Sequence, residues 1–161
     1  MQIRKAVSHD KEQLAKLLID FNNFAKKSFS AKQNKLRAFK NLPLMWEEIA
    51  EGYLSNSKYI VFVVDENNIL KGFINGEIRE NKYRIYDKEG YVESWFIEEE
   101  YRDKGTGKQL FDALTEEFKK LGCTSIGLDT NVENEIAIQI YEHMGFIRRL
   151  IVFRKLLQDL P

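Results

Sequence analysis

The chain predicts one α/β domain of mixed α+β type, and three features of its sequence carry that expectation. Strand-period and helix-period runs alternate along its length, its 161 residues suit a single hydrophobic core, and no repeat, low-complexity segment or linker divides it, so residues 1–161 are expected to form one domain. A strand-like run, Tyr91 to Ile97, also passes through a charged turn into Arg102-x-x-Gly105-x-Gly107 and then into an apolar helix stripe beginning at Leu110. That succession of strand, glycine loop and helix is the stretch around which the other elements are ordered.

Gln2 to Val7 reads as a first strand, and Ser8-His9-Asp10 supplies capping residues for a helix with Leu14, Leu17, Leu18, Phe21 and Phe24 on one face. Ser30 to Asn41 is basic and polar and reads as a mobile connection or a short helix. Pro43 suits the first turn of a second helix whose apolar face is Leu44, Met45, Trp46, Ile49, Tyr53 and Leu54. The period then changes. Tyr59 to Val64 is a buried strand, Asp65 to Asn68 a turn and Ile69 to Ile78 a second strand, together a hairpin in which Gly72 and Gly76 predict a bulge or a close approach. Arg79 to Glu89 is a charged and aromatic connection in which Tyr83, Arg84 and Tyr86 belong either to the surface or to a substrate rim. After the glycine loop, Leu110, Phe111, Leu114, Phe118 and Leu121 form a helix stripe ended by Gly122, and Thr124 to Asp129 is a strand. Asn131 and Asn134 introduce a short helix that Gly145 ends, Phe146 to Lys155 is expected to be a final strand, and Leu156 to Pro161 a tail.

Composition excludes several function classes. Twenty-five basic and 25 acidic residues balance, which gives no global field for nucleic acid or an anionic membrane, so neither is expected as a partner. The single cysteine, Cys123, has no internal partner and reads as a buried small apolar residue in a reducing compartment. His9 and His143 are the only histidines and neither has a second ligand at metal spacing, so no metal site is expected. The first residues lack the apolar run of a signal peptide, and no segment approaches the ~18 apolar residues of a membrane span, which predicts a soluble cytoplasmic protein.

The glycine loop is the one stretch with phosphate-binding chemistry. Glycines accept positive φ and let a backbone approach a ligand, and the first amides of a helix point outward with the positive end of its dipole. Two nucleotide loops fail by inspection. A P-loop needs glycine where Arg102 stands and a hydroxyl where Gln109 stands, and the dinucleotide fingerprint needs glycine where Leu110 stands.

Taken with Asn134-x-x-Ala137-x-x-x-Tyr141-x-x-x-Gly145-Phe146 downstream, the loop resembles the GNAT family of N-acetyltransferases, specifically from Gly90 to Phe153 and in element order over nearly the whole chain. The resemblance implies a central, bent mixed sheet flanked by helices on both faces, with acetyl-CoA as co-substrate in a splay between two strands. It implies that Trp95, Phe96 and Ile97 pair by main chain with the pantetheine amides. Asp103, Lys104, Gly105, Thr106, Gly107 and Lys108 would wrap the pyrophosphate, and Asn134 would lie near the pantetheine. Tyr141 would be the general acid at the thioester sulfur, although a tyrosine on this helix side is also a common core residue. Glu99 stands where the family often has a proline that shapes the turn.

Acetyl transfer to an amine needs the amine neutral, and an alkylammonium with a pKa near ~10.4 must lose its proton to a base. Glu93, in the strand just before the cofactor segment, matches the base proposed in polyamine-type members, and a charge in a buried strand is costly unless paired or functional. Asp129, at the end of the next strand, matches the base proposed in ribosomal-protein N-terminal acetyltransferases and is the rival. Arg102 contacts either a phosphate or the acidic Glu98 to Glu100, and Lys104 and Lys108 are open in the same way. The expected activity is acetyl-CoA-dependent transfer to a primary amine, either a small cation such as a polyamine or aminoglycoside, or a protein amine. The alternatives are transfer of another acyl group and a non-catalytic acyl-CoA sensor. By analogy with the family, a homodimer is open.

Overall fold

A computed structural model describes residues 1–40 and 42–158. Asn41, the end of the expected basic connection, and Asp159 to Pro161 of the expected tail lie outside the described residues. The elements, in chain order, are β1 (Gln2–Lys5), α1 (Lys11–Lys26), α2 (Ala31–Leu36), α3 (Met45–Ser55), β2 (Tyr59–Glu66), β3 (Ile69–Glu80), β4 (Lys88–Ile97), α4 (Thr106–Lys120), β5 (Ser125–Leu128) and α5 (Glu135–His143). The chain falls into two compact units, one of Met1–Asn22 with Leu42–Asp129 and one of Asn23–Asn41 with Thr130–Pro161, and the boundary between them passes through α1.

The first unit holds a five-stranded sheet in the order β1-β2-β3-β4-β5. The first four strands are antiparallel neighbours and β5 runs parallel to β4, so the sheet is mixed, as expected. Alternation along the strands sorts their side chains between two helical layers. Val61, Val63, Phe73 and Phe96 face a core built with Leu14, Leu17 and Leu18 of α1 and Ala50 of α3. On the other face α4 buries Leu110, Phe111, Leu114 and Phe118 of the expected stripe, whereas Leu121, the last residue expected in it, is the C-cap and is exposed. Here Gly76 and Gly90 are required by packing. A Cβ on Gly76 would stand 2.6 Å from the Phe118 ring and one on Gly90 2.3 Å from it, so these strand positions are empty because the ring occupies them.

The head of the chain is held by charge. Arg4 of β1 donates from both terminal nitrogens to Asp10, at 2.7 and 2.9 Å, and from Nε to Asp65 of β2 at 2.8 Å. Asp10 is 1% exposed and also accepts from the Val7 amide at 2.8 Å. Burial pushes its carboxyl upward, but the Arg4 bonds and the Val7 amide outweigh this and hold it below the ordinary carboxylate value.

In the second unit α2 begins with a capping box: Ser30 Oγ accepts from the Gln33 amide at 3.3 Å, and Gln33 Oε1 accepts from the Ser30 amide at 2.8 Å. The Asn131 amide side chain donates to the Ser28 carbonyl at 2.7 Å, joining the two chain segments of the unit.

Several expectations are adjusted. Helix α3 begins two residues beyond Pro43, and β3 and β4 extend inward until the connection between them is only residues 81–87, where Tyr83 and Tyr86 are exposed. Cys123 is half-buried rather than buried. The expected strand Phe146 to Lys155 is irregular. Its apolar pattern is suitable, but every described regular element of its own unit is a helix, and a strand exists only where another strand takes its backbone hydrogen bonds.

Candidate active site

In β4 the register with β3 pairs Ser94 with Asn75 and Val92 with Gly76, leaving Glu93 as the extra residue of a β-bulge. The bulge places Glu93 on the same face as Asn75, whose Nδ2 donates to Glu93 Oε2 at 3.3 Å. Burial pushes the Glu93 carboxyl above its ordinary value, and Glu77 adds to this against the opposing pull of Arg79, Lys58 and Asn75. Tyr53, from the C-terminal half of α3, shares this corner. Its phenol is pushed up to about 12 by burial first and by Glu93 second.

Asp129, the rival base, lies just past β5 and is exposed. One of its oxygens accepts from the Tyr91 hydroxyl at 2.6 Å. The Tyr91 ring lies 3.4 Å beneath the Arg79 guanidinium, and Arg79 donates to Glu77 at 2.6 Å. Lys58 also pairs with Glu77, at 2.6 Å. Burial, then the bond to Asp129, pushes the Tyr91 hydroxyl up to about 12, so it remains a donor throughout the neutral range.

Beyond this corner the strands part. The parallel register of β5 with β4 runs from Glu89 to Val92, whereas that of β3 with β4 continues to Ile97. Trp95 projects toward α4, stacked on Phe111 with ring centroids 5.5 Å apart, and Phe96 and Ile97 are buried. Arg102 turns back on its own strand, Nε donating to the Ile97 carbonyl at 2.9 Å.

The loop then enters the left-handed region twice, at Asp103 (φ 58°) and Gly105 (φ 76°). Gly105 is the N-cap of α4, and no side chain caps the helix. The first amides of this 15-residue helix therefore carry the dipole's positive end without a protein acceptor from a capping side chain. Thr106 is buried, and its hydroxyl has no hydrogen-bond partner among the described residues. Gly107 lets Trp95 lie against the helix start, since a Cβ there would meet the indole at 3.3 Å. Lys104 lies 5.6 Å from the Tyr101 ring, and Lys108 pairs with Asp112 at 2.5 Å, four residues along α4.

In the second unit Asn134 caps α5, accepting from the Ala137 amide at 3.3 Å and donating to Thr130 Oγ1 at 3.3 Å. Tyr141 is half-buried and braced edge-on by Phe146 at 6.0 Å, which the turn at Gly145 (φ 91°) brings back against it. Asn75, Tyr53, Tyr91 and Arg79 were not singled out by the sequence as site residues. Asn75 did leave a signal, a lone amide inside the strand run Gly72-Phe-Ile-Asn-Gly76. Tyr53 belongs to the apolar stripe of α3 by its spacing, which hides its hydroxyl as a site group.

Comparison with known proteins finds relatives of the chain. The chain is similar to the N-alpha-acetyltransferases 30 of Saccharomyces cerevisiae (37% identical over 70 residues, 44% of this chain and 40% of that one) and Schizosaccharomyces pombe (28% over 109 residues, 68% and 64%). It thus spans less than two thirds of either relative. It is also similar to the aminoglycoside N(6')-acetyltransferase type 1 of Salmonella typhimurium, 28% identical over 98 residues, 58% of this chain and 68% of that one. Among solved structures, aminoglycoside N-acetyltransferase AAC(6')-Iy in complex with CoA shares the fold, with a TM-score of 0.75 at 20% identity, covering 96% of this chain and 93% of that one. The family profile described as the acetyltransferase (GNAT) family matches residues 20–146, well over half of the chain, and on that match the chain belongs to the GNAT family.

Proposed function

We propose that the chain is an acetyl-CoA-dependent N-acetyltransferase acting on a primary amine. The observation that carries this reading is the parting of β4 from β5 immediately after Val92, followed by a loop with two left-handed residues and a helix N-terminus without a side-chain cap. The donor set suits the group: main-chain amides and carbonyls along Trp95 to Ile97 for pantetheine, and the amides of Asp103 to Lys108 with the Thr106 hydroxyl for pyrophosphate. Acetyl-CoA supplies the activated acetyl as a thioester. The roles assigned below to Glu93, Asn134 and Tyr141 also draw on the family resemblance.

Glu93 is the base in this reading. A half-buried carboxylate with a raised pKa accepts a proton from an ammonium more readily than an ordinary one, and the bulge that presents it is a local irregularity of the kind found beside active sites. Asp129 is already engaged by the Tyr91 hydroxyl, which favours an orienting role at the rim. By the family resemblance alone, Tyr141 would donate the proton that the departing thiolate takes up and Asn134 would steady the pantetheine; within its own unit Asn134 caps α5.

A thiol-release assay with acetyl-CoA over polyamines, aminoglycosides, amino acids and peptide N-termini tests the proposal. Turnover is expected with at least one amine, and Glu93→Gln and Tyr141→Phe should each slow it about a hundredfold while acetyl-CoA still binds. Tight acetyl-CoA binding with no turnover on any acceptor would instead identify a sensor, and an unaffected Glu93→Gln beside an inactive Asp129→Asn would move the base to Asp129.

A further inference from the structure

Among the buried polar residues of the described strands, Asn75 carries no charge and is the most deeply buried. It is 0% exposed, as are Phe73 and Ile74 beside it, and a buried amide left without partners costs about 1–3 kcal/mol. A sheet retains such a group where it holds something. The end facing Glu93 must be the amino end, because an ionised carboxylate only accepts, and that end donates to Glu93 Oε2 at 3.3 Å. Tyr53 feels the same pair, with the Asn75 amide and the Glu93 carboxylate both acting on its hydroxyl. The carbonyl end of Asn75 is buried and has no hydrogen-bond partner among the described residues, so the Glu93 and Tyr53 side of the amide sets its orientation.

We propose that Asn75 is a positioning residue: the bulge turns Glu93 onto this face, and the Asn75 amide holds one carboxylate oxygen so that the other is presented to the acceptor amine. This rests on the reading of Glu93 as the base. A half-buried glutamate side chain has several staggered rotamers open to it, and a buried donor from the neighbouring strand restricts that freedom. The donor also favours the charged form. Glu93 is faced by Glu77 and Arg79 of β3, by Lys58 just before β2 and by Tyr53 of α3. Burial and Glu77 disfavour its ionisation, whereas Arg79, Lys58 and the Asn75 amide favour it. The base must be unprotonated to act, so activity rises with pH through its pKa, and loss of the Asn75 donor moves that rise to higher pH.

The test is the pH profile of kcat/KM for thiol release with the best amine of the acceptor panel, run on the wild type, Asn75→Leu, Asn75→Asp and Glu93→Gln. Asn75→Leu keeps the volume and removes the donor; its acidic limb is expected about one pH unit higher, with the KM for acetyl-CoA within about twofold of wild type. Asn75→Asp sets a second carboxylate against the first and should move the limb further. Asn75→Ser, a smaller variant that keeps a donor, should lie between wild type and Asn75→Leu, and it carries the comparison if the leucine variant does not fold. If the limb stays in place in every Asn75 variant but vanishes in Glu93→Gln, Asn75 only fills space and the inference is overturned while the base assignment stands. If the limb survives in Glu93→Gln, the base is elsewhere and both fall.

Discussion

Replacing Gly90 by alanine places a methyl group 2.3 Å from Cδ2, 2.4 Å from Cγ and 2.7 Å from Cδ1 of Phe118, where van der Waals contact begins more than 1 Å farther out. The backbone at Gly90 is not left-handed, so in an open site alanine would stabilise by about 0.5–1 kcal/mol through the unfolded chain. Displacing a buried ring costs more, about 1–3 kcal/mol, and the shortness of these contacts places the net loss near 2 kcal/mol. Phe118→Ala alone, at 2% exposure, should cost about 3–5 kcal/mol for lost burial and the cavity left behind. In the double variant the new methyl enters that cavity, and the combined loss should fall short of additivity by about 2 kcal/mol. Denaturant unfolding of the four proteins followed by far-UV circular dichroism reads the cycle. Additive losses, or a neutral Gly90→Ala, would show that the ring is not seated over Gly90 and that α4 packs differently on β3 and β4.

The ion pair at the head of the chain makes a second case. Asp10→Asn leaves Arg4 without its buried bidentate partner and should cost about 3 kcal/mol at neutral pH, a fall in Tm of about 6–12 °C by calorimetry. The Asp10 carboxyl is held below its ordinary 3.8, so its contribution is complete above that value and fades as pH falls through the folded-state pKa, and the gap between variant and wild type should close in acid. Gly105→Val meets no atom within 4 Å but must hold a β-branched residue at φ 76°; acetyl-CoA affinity by calorimetry should fall about tenfold with little change in the melting of the core.

Much of the scaffold was legible in the sequence because it is written in local periodicity. The stripe of Leu110, Phe111, Leu114 and Phe118, the glycine loop and the capping asparagine of α5 each depend on neighbours within one or two turns, and each is found where the pattern puts it. The candidate site is different in kind. That Glu93 is a bulge residue depends on how β4 registers against β3, which alternation within β4 alone does not encode. Asn75 and Tyr53 acquire meaning only once two strands and a helix converge on one carboxylate. The strand expected over Phe146 to Lys155 failed for the converse reason, since its own residues suit a strand but its unit contains no described strand to pair with.

The chain of contacts from Arg79 of β3 over the Tyr91 ring of β4 reaches Asp129, the residue just past the end of β5. It spans the last rungs shared by β4 and β5, whose pairing ends one residue after Tyr91. The junction of the two strands is thus riveted at the place where a ligand forced between them would exert leverage. A molecule entering the splay would have to break the Tyr91–Asp129 bond before it could part the two strands further, so that bond opposes a deeper opening between β4 and β5. Tyr91 and Asp129, at the rim of the proposed site, would in this way bear on how far an acyl group reaches toward Glu93.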